Sequence, residues 1–331
     1  MPRLQVAKMH GSRNAILVID GAPSDFFTAA QITWAVQRLC AYRGGVGSDG
    51  VYFIKDTGDG AAQAWFFNPD GSPSLLCGNG MRCAGRLLLD RHQADEIVLH
   101  TGAYAFTVRA AATTAHGVRQ VAVELPAVDF EPHEPIVANV DWPYVDLINP
   151  AYHPSRAVTA LAVPNSHLIT VVDRYDEAEL IATGTRVAED TNTFPIGANV
   201  SFVTPLGEAE VFIRTFERGA GLTESCGSGV SASRATLSRL GIIEPDVPVL
   251  VRNPGGPARS WIQQTRDVWQ PILEGNATLV LRTELDPTDV LGSEPLEFQG
   301  QAQLDEISAF GDLFDDNLKI LHAAGIRPAV G

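Results

Sequence analysis

The stretch Leu75-Leu76-Cys77-Gly78-Asn79-Gly80-Met81-Arg82 sets a cysteine and a Gly-x-Gly at the start of a helix. The N–H groups of a first helical turn have no partner within the helix and carry the positive end of its dipole. They therefore hold anions and favour a thiolate, bringing a cysteine pKa from about 8.5 down to roughly 3.5–7.5. The arrangement returns at Ser225-Cys226-Gly227-Ser228-Gly229-Val230, close to half the chain length further on, again ahead of an apolar helical run. Phe67-Asn68 and Phe216-Glu217 stand at equal distances ahead of the two cysteines, and an apolar strand precedes each pair, at residues 64–67 and 211–216. Two units of strand, polar loop, cysteine and helix predict a duplicated fold that aims two helix N-termini and two thiols at one cleft.

At 331 residues the chain exceeds the usual size of a single core, so two domains are expected, and 45% hydrophobic with 19% charged residues is ordinary for a globular protein. A net charge of −15, with Lys8, Lys55 and Lys319 as the lysines, argues against nucleic-acid and anionic-membrane partners, which require clustered Lys and Arg. Four cysteines are too few for a disulfide scaffold, and the N-terminal residues lack an apolar signal core, so a reducing cytoplasm is expected. No stretch approaches membrane-spanning length.

Along the chain, residues 16–19 read as a strand, and Thr28 with Gln31 opens a helix running to Tyr42, ended by Gly44-Gly45. The loop Gly45-Val46-Gly47-Ser48-Asp49-Gly50 is either a turn into the strand at 51–54 or part of a substrate lining. Asn68-Pro69-Asp70-Gly71 is a turn, and the Cys77 helix runs to about Arg91. Strands follow at 96–100, 104–109 and 121–125, then a proline-punctuated stretch from 126 to 154 that suits an extended crossover. The second unit resumes with Pro164-Asn165-Ser166-His167 and a strand at 168–172. It continues with a helix near 177–182, strands at 200–203 and 211–216, the Cys226 helix ended by Gly241, and strands at 249–251 and 277–281. Past Asp286, Leu304, Ile307, Phe314, Leu318 and Leu321 share one helical face, expected to pack on the chain's own body. The class is α+β.

Metal binding fits poorly, because Cys77 and Cys83 lack CxxC spacing and have no matching second pair; Cys40 and Cys83 read as buried structural thiols. There is no GK[ST] motif and no lysine beside either cysteine to anchor pyridoxal phosphate. Acid–base work at carbon remains: with a substrate carboxylate at the helix N-termini, one sulfur as thiolate removes an α-proton while the other, as thiol, returns one. That is racemisation or epimerisation.

The chain here resembles the diaminopimelate epimerase family over most of its length. The resemblance is carried by His10-Gly11-Ser12-Arg13-Asn14, Gly45–Gly50, Phe67-Asn68-Pro69-Asp70-Gly71-Ser72, Cys77-Gly78-Asn79-Gly80, Asn165-Ser166-His167, Asn199-Val200, Phe216-Glu217-Arg218-Gly219-Ala220-Gly221 and Cys226-Gly227-Ser228-Gly229. It implies two pseudo-symmetric lobes, each a β-barrel-like sheet around a central helix. One lobe comprises residues 1–127 with a returning strand and tail at 276–331, and the other residues 128–275. The implied reaction is interconversion of LL- and meso-diaminopimelate without cofactor or metal, on a small amino-acid substrate, with a homodimer left open as the assembly. Carried over by motif, Cys77 and Cys226 are the acid–base pair and His167 and Glu217 assist them. Asn14, Asn68, Gly78, Asn79, Asn165, Asn199, Arg218, Gly227 and Ser228 bind substrate. Without the motif His167 reads as an ordinary histidine and the asparagines as turn residues. The chain departs from the family at Ala15-Ile16, where Asp-Phe is common, and at Ser166, where Pro is common. The alternatives are a cofactor-independent racemase or epimerase of another amino acid, and a non-catalytic thiol switch.

Overall fold

The computed structural model describes residues 2–74, 76–102, 104–266 and 268–329. Leu75 of the first cysteine motif lies outside the described residues. The chain divides into two compact units, Met1–Val123 with Glu274–Leu313, and Glu124–Leu273 with Phe314–Gly331.

The first unit begins with β1 (Leu4–Gly11), β2 (Asn14–Asp20), α1 (Ala29–Cys40), β3 (Val51–Gly58), β4 (Ala61–Phe67), β5 (Pro73–Ser74), α2 (Gly78–His92), β6 (Glu96–Thr101), β7 (Tyr104–Ala111) and β8 (Gln120–Glu124). β1 runs antiparallel to β2, β2 parallel to β3, β3 antiparallel to β4, and β4 parallel to β6, which continues antiparallel through β7 to β8. α2 touches β1, β2, β3, β6 and β7, so the sheet curls around it, and Met81, Cys83, Ala84, Leu88 and Leu89 are buried there. α1 packs Ala35, Val36, Leu39 and Cys40 against Leu17, Ile19, Val51 and Phe53. Its start is the expected box, with the Thr28 N–H donating to Gln31 Oε1 at 2.9 Å. It ends at Cys40 rather than Tyr42, because the glycine loop folds back and the N–H groups of Val46, Gly47 and Ser48 take the carbonyls of Leu39 and Cys40.

The second unit repeats this order with β9 (Leu147–Ile148) added ahead: β10 (Ala157–Val163), β11 (Asn165–Val171), α3 (Glu177–Glu189), β12 (Asn199–Gly207), β13 (Glu210–Glu217), β14 (Gly221–Leu222), α4 (Gly227–Arg239), β15 (Val249–Asn253), β16 (Gly256–Thr265) and β17 (Val268–Asn276). The pairings repeat as well: antiparallel β10 with β11, parallel β11 with β12, antiparallel β12 with β13, parallel β13 with β15 and antiparallel β15 with β16. Even the two-residue strands hold equivalent registers, Phe67↔Pro73 and Phe216↔Leu222. α4 lies against β10, β11, β12, β13 and β16 as α2 does in its own unit. The duplication seen at the cysteines thus extends through the strands and helices that surround α2 and α4, an α+β fold of two repeated lobes.

Returning to the first unit, β18 (Thr278–Leu285) runs antiparallel beside β1, followed by α5 (Pro287–Leu291), β19 (Gln301–Ala302) and α6 (Leu304–Ala323). The tail does not stay with the first unit as expected. From Phe314 it groups with the second, where Leu318, Leu321 and Ile326 pack with Phe212 and Tyr175. The apolar face differs too: Leu304 and Ile307 are exposed, whereas Phe310, Asn317 and Leu321 are buried. Asn317 is tolerated inside because it accepts from Arg252 at 3.1 Å and donates to the Asn253 carbonyl at 2.9 Å. The proline-rich stretch is not a bare crossover either, since Ile136, Val137, Tyr144 and Tyr152 enter the second unit's core with Leu168, Val200 and Phe202. Among the longer strands β1, β10, β16 and β17 were not legible in the sequence; in β16 the buried side is Gly256, Ala258, Ser260 and Ile262, which breaks the apolar alternation. Among the described residues no helix is long and apolar enough to cross a membrane.

A β-carbon at Gly85 in α2 would stand 2.4 Å from Cγ1 of Val108, whereas one at Gly311 in α6 would meet nothing within 4 Å. In urea unfolding, Gly85→Ala should lose about 1–3 kcal/mol by overpacking, and Gly311→Ala should gain about 1 kcal/mol of helix propensity.

Candidate active site

In the first unit Cys77 is the N-cap of α2, and its sulfur accepts the Gly80 N–H at 3.4 Å. The helix start lies directly on β3: a β-carbon at Gly80 would stand 2.6 Å from the Tyr52 ring, so only glycine fits. Tyr52 is buried with its ring tilted against Phe66, and its hydroxyl accepts the Cys77 N–H at 3.2 Å. Asn14, first residue of β2, brings its Oδ1 to 3.6 Å from the Cys77 sulfur. Asn79, expected to face substrate, is buried and presents its side-chain oxygen to the buried Arg82 at 2.9 Å. Arg82 also donates to Ser12 Oγ and the Asn276 carbonyl, tying the helix start to the β1–β2 turn and the end of β17. His10 belongs to this network; burial first, then Arg13 and Arg82, hold its pKa down to about 4. Asn68 closes the β4–β5 turn, its amide donating to Ser72 Oγ at 3.0 Å.

In the second unit Cys226 caps α4, with its sulfur 3.6 Å from Ser228 Oγ. Gly229 occupies the place of Gly80, its absent β-carbon leaving room for Thr215 Oγ1, which would lie 2.6 Å away. Glu217 at the end of β13 accepts the Thr223 hydroxyl at 2.5 Å and is hydrogen-bonded to Cys226. Burial first, and the Glu217 carboxylate second, push the Cys226 thiol well above the ordinary thiol range. The expectation of an easily ionised thiol at this helix start is therefore wrong: at neutral pH Cys226 is a thiol. Burial likewise raises Glu217, against the bonds from Thr223 and Cys226, which lower it.

His167 is fully buried on β11, beside Asn199 in the parallel β11–β12 register, with Nε2 3.2 Å from Asn165 Oδ1. Burial, and then the Arg218 charge, hold its pKa at about 3, so the ring is neutral. Its Nδ1 is buried without a partner among the described residues. Asn199 Oδ1 accepts the Arg218 N–H at 2.9 Å, and the exposed Arg218 side chain donates to the Ile196 carbonyl. Thus Cys77 with Asn14, Cys226 with Glu217 and Ser228, His167 with Asn165, and Asn199 with Arg218 are brought together, and Gly78 and Gly227 open the two helices. Tyr52, Arg82 and Thr223 were missed, because an apolar strand residue, a helix arginine and a loop threonine announce themselves only through tertiary neighbours.

Among the described residues no three of His, Cys, Asp and Glu converge as a metal set. None of the four cysteines is joined in a disulfide. A depression of about 430 Å³ in the first unit is lined by Val6, Asp20, Leu87, Asp90 and Arg91, at the far end of α2 from Cys77.

Against known proteins, the diaminopimelate epimerase family matches residues 6–127 and 159–280, one span for each repeat. The chain belongs to this family. The family is one of isomerases. The chain is 34% identical over 302 residues to the diaminopimelate epimerase of Enterococcus faecalis, covering 87% of this chain and 91% of that one. In fold it is similar to a Bacillus anthracis phenazine biosynthesis protein of the PhzF family (TM-score 0.59, 14% identity, 86% of this chain and 99% of that one). A hydroxyproline epimerase of Agrobacterium vitis is similar at TM-score 0.58 and 16% identity, covering 89% of this chain and 98% of that one.

Two outcomes follow from the charges. Removing the Glu217 charge removes one cause of the raised Cys226 pKa, so Glu217→Gln should move the pH midpoint of Cys226 alkylation downward, read by peptide mapping across a pH series. His10 and His167 are held neutral when folded but protonate near 6.5 when unfolded. The stability they contribute is therefore complete above about pH 6.5 and lost as pH falls towards 4. Urea midpoints should fall across that window, and His167→Gln should flatten the slope.

Proposed function

We propose that this enzyme interconverts LL- and meso-diaminopimelate without a cofactor, Cys77 and Cys226 acting on opposite faces of one α-carbon. The observation that carries the reading is the pair of Cys-Gly-x-Gly helix starts retained in a chain of the diaminopimelate epimerase family. In one direction the Cys226 thiol passes its proton to the Glu217 carboxylate, whose raised pKa makes it the better base. The thiolate so formed takes the α-proton, the electron pair stays on carbon, and Cys77 gives its thiol proton to the opposite face. The N–H groups at the two helix starts meet the charge that develops on the substrate carboxylate. Neutral His167 with Asn165 assists proton movement beside Cys226. Gly78, Asn79, Gly227 and Ser228 line the reacting carboxylate through the two helix starts. Asn14, Asn68, Asn199 and Arg218 read the distant amino-acid centre, Arg218 gripping its carboxylate. On this reading the enzyme works in the cytoplasm on a small amino acid, towards lysine and cell-wall precursors.

Incubation with LL-diaminopimelate should form the meso isomer with no added cofactor, and in D₂O the first product should carry deuterium at the inverted carbon. Cys77→Ala and Cys226→Ala should each depress turnover by about 10²–10⁴ or more. Arg218→Met should lower kcat/KM by roughly 10²-fold while the thiols stay open to alkylation. Retention of the substrate's own hydrogen would exclude the two-thiol route, and comparable turnover of trans-4-hydroxyproline would exclude the substrate assignment.

A further inference from the structure

The glycine-rich loop ahead of β3 carries Asp49, which no step above uses. Its backbone N–H donates to the Ala15 carbonyl at 2.7 Å. Its Oδ2 accepts the Ala15 N–H at 2.8 Å and the Asn14 Nδ2 at 3.3 Å, and its Oδ1 accepts the Tyr42 hydroxyl at 2.9 Å. Asn14 stands between this carboxylate and Cys77. A carboxamide has a donor end and an acceptor end, and which end points where is decided by the neighbour that can play only one part. A backbone N–H can only donate, so Oδ2 of Asp49 is an acceptor, and Asn14 must turn its NH₂ towards it. That leaves the Asn14 carbonyl oxygen 3.6 Å from the Cys77 sulfur, where it can accept a proton and cannot give one. Tyr52 holds the Cys77 backbone, so the sulfur stays in place.

We propose that Asp49 is a positioning residue that locks the Asn14 amide with its oxygen towards Cys77, and thereby holds Cys77 as a protonated thiol in the ligand-free enzyme. The Gly80 N–H at 3.4 Å, the helix N-terminus and the charge of the buried Arg82 pull the other way, towards thiolate, while burial keeps the neighbouring Cys83 and Tyr52 uncharged. Asp49 decides the balance through Asn14. The second unit reaches the same resting state at Cys226 by burial and Glu217 instead. The proposal deepens the epimerase reading, in which Cys77 starts one direction as the acid, but its test does not use turnover.

The test is peptide-resolved iodoacetamide alkylation of Cys77 across a pH series on the folded full chain, with circular dichroism as the check of folding. Asp49→Ala should lower the alkylation midpoint by about one pH unit or more, because the freed amide can turn its NH₂ to the sulfur. Asp49→Asn keeps the shape but can itself turn over, so it should lower the midpoint too, and it serves alone if Asp49→Ala fails to fold. Asn14→Ala removes the relay, and either Asp49 variant added to it should change nothing further. An unchanged or raised midpoint in the folded Asp49 variant overturns the proposal. So does an Asp49 effect of equal size with Asn14→Ala present, which would mean that the Asp49 charge or the fold acts on Cys77 directly. A shifted midpoint in a protein inert towards diaminopimelate would sink the epimerase reading and leave this one standing.

Discussion

Neither helix that carries a motif thiol has room for a β-carbon at its third residue. At Gly80 the Tyr52 ring occupies that space, and at Gly229 the Thr215 hydroxyl does. The contact draws each helix start down onto its sheet, so the first-turn N–H groups and the N-cap sulfur emerge at a defined point above the strands. Much of the rest serves that placement. α2 and α4 are ringed by strands, the β4–β5 and β13–β14 ribbons hold equivalent registers ahead of the cysteines, and Arg82 ties one helix start to the β1–β2 turn and β17.

The same helix start supports different electrostatics in the two units. Below Cys77 lie a tyrosine and a phenylalanine, and an asparagine oxygen and a backbone N–H are among the groups that reach the sulfur. Below Cys226 lie Ser201 and Thr215, bonded to each other at 2.8 Å, and the group beside the sulfur is a carboxylate. Helix dipoles are worth about 0.3–1 kcal/mol at exposed ends, and burying an ionisable group shifts its balance by more than that. Desolvation therefore wins at Cys226, and the dipole lowers the cost of forming a thiolate without making it the resting state.

Asn317 and Arg86 are buried polar groups admitted with partners, whereas among the described residues the hydroxyls of Thr204, Ser231, Ser233 and Thr236 are buried without one. Asn317 enters the second core through Arg252 and Asn253, and Arg86 is held by both Glu306 oxygens, at 2.5 and 2.7 Å. The tail helix combines such pairs with buried Phe310 and Leu321, and its apolar spacing misled because Asn317 enters while Leu304 and Ile307 remain outside.

The sequence alone determined the duplication, the α+β class, the two cysteine-capped helices, the capping box at Thr28 and the family. These are local or repeated signals: glycine and cap chemistry act within a turn, and a repeat is visible without knowing what it packs on. It also singled out Glu217, His167 and Ser228, which the structure places around Cys226 or on the strands beside it. The strands β1 and β16, each paired on both sides, escaped notice because Lys8 and His10 in one and Gly256, Ala258 and Ser260 in the other hide a period of two. The tail's division between units, the engagement of Asn79 by Arg82, the parts of Tyr52 and Asp49, and the raised pKa of Cys226 were decided only in three dimensions. Each depends on a neighbour distant in sequence. Burial and hydrogen-bond direction, which set whether a sulfur keeps its proton, are properties of the packed surroundings and not of the motif.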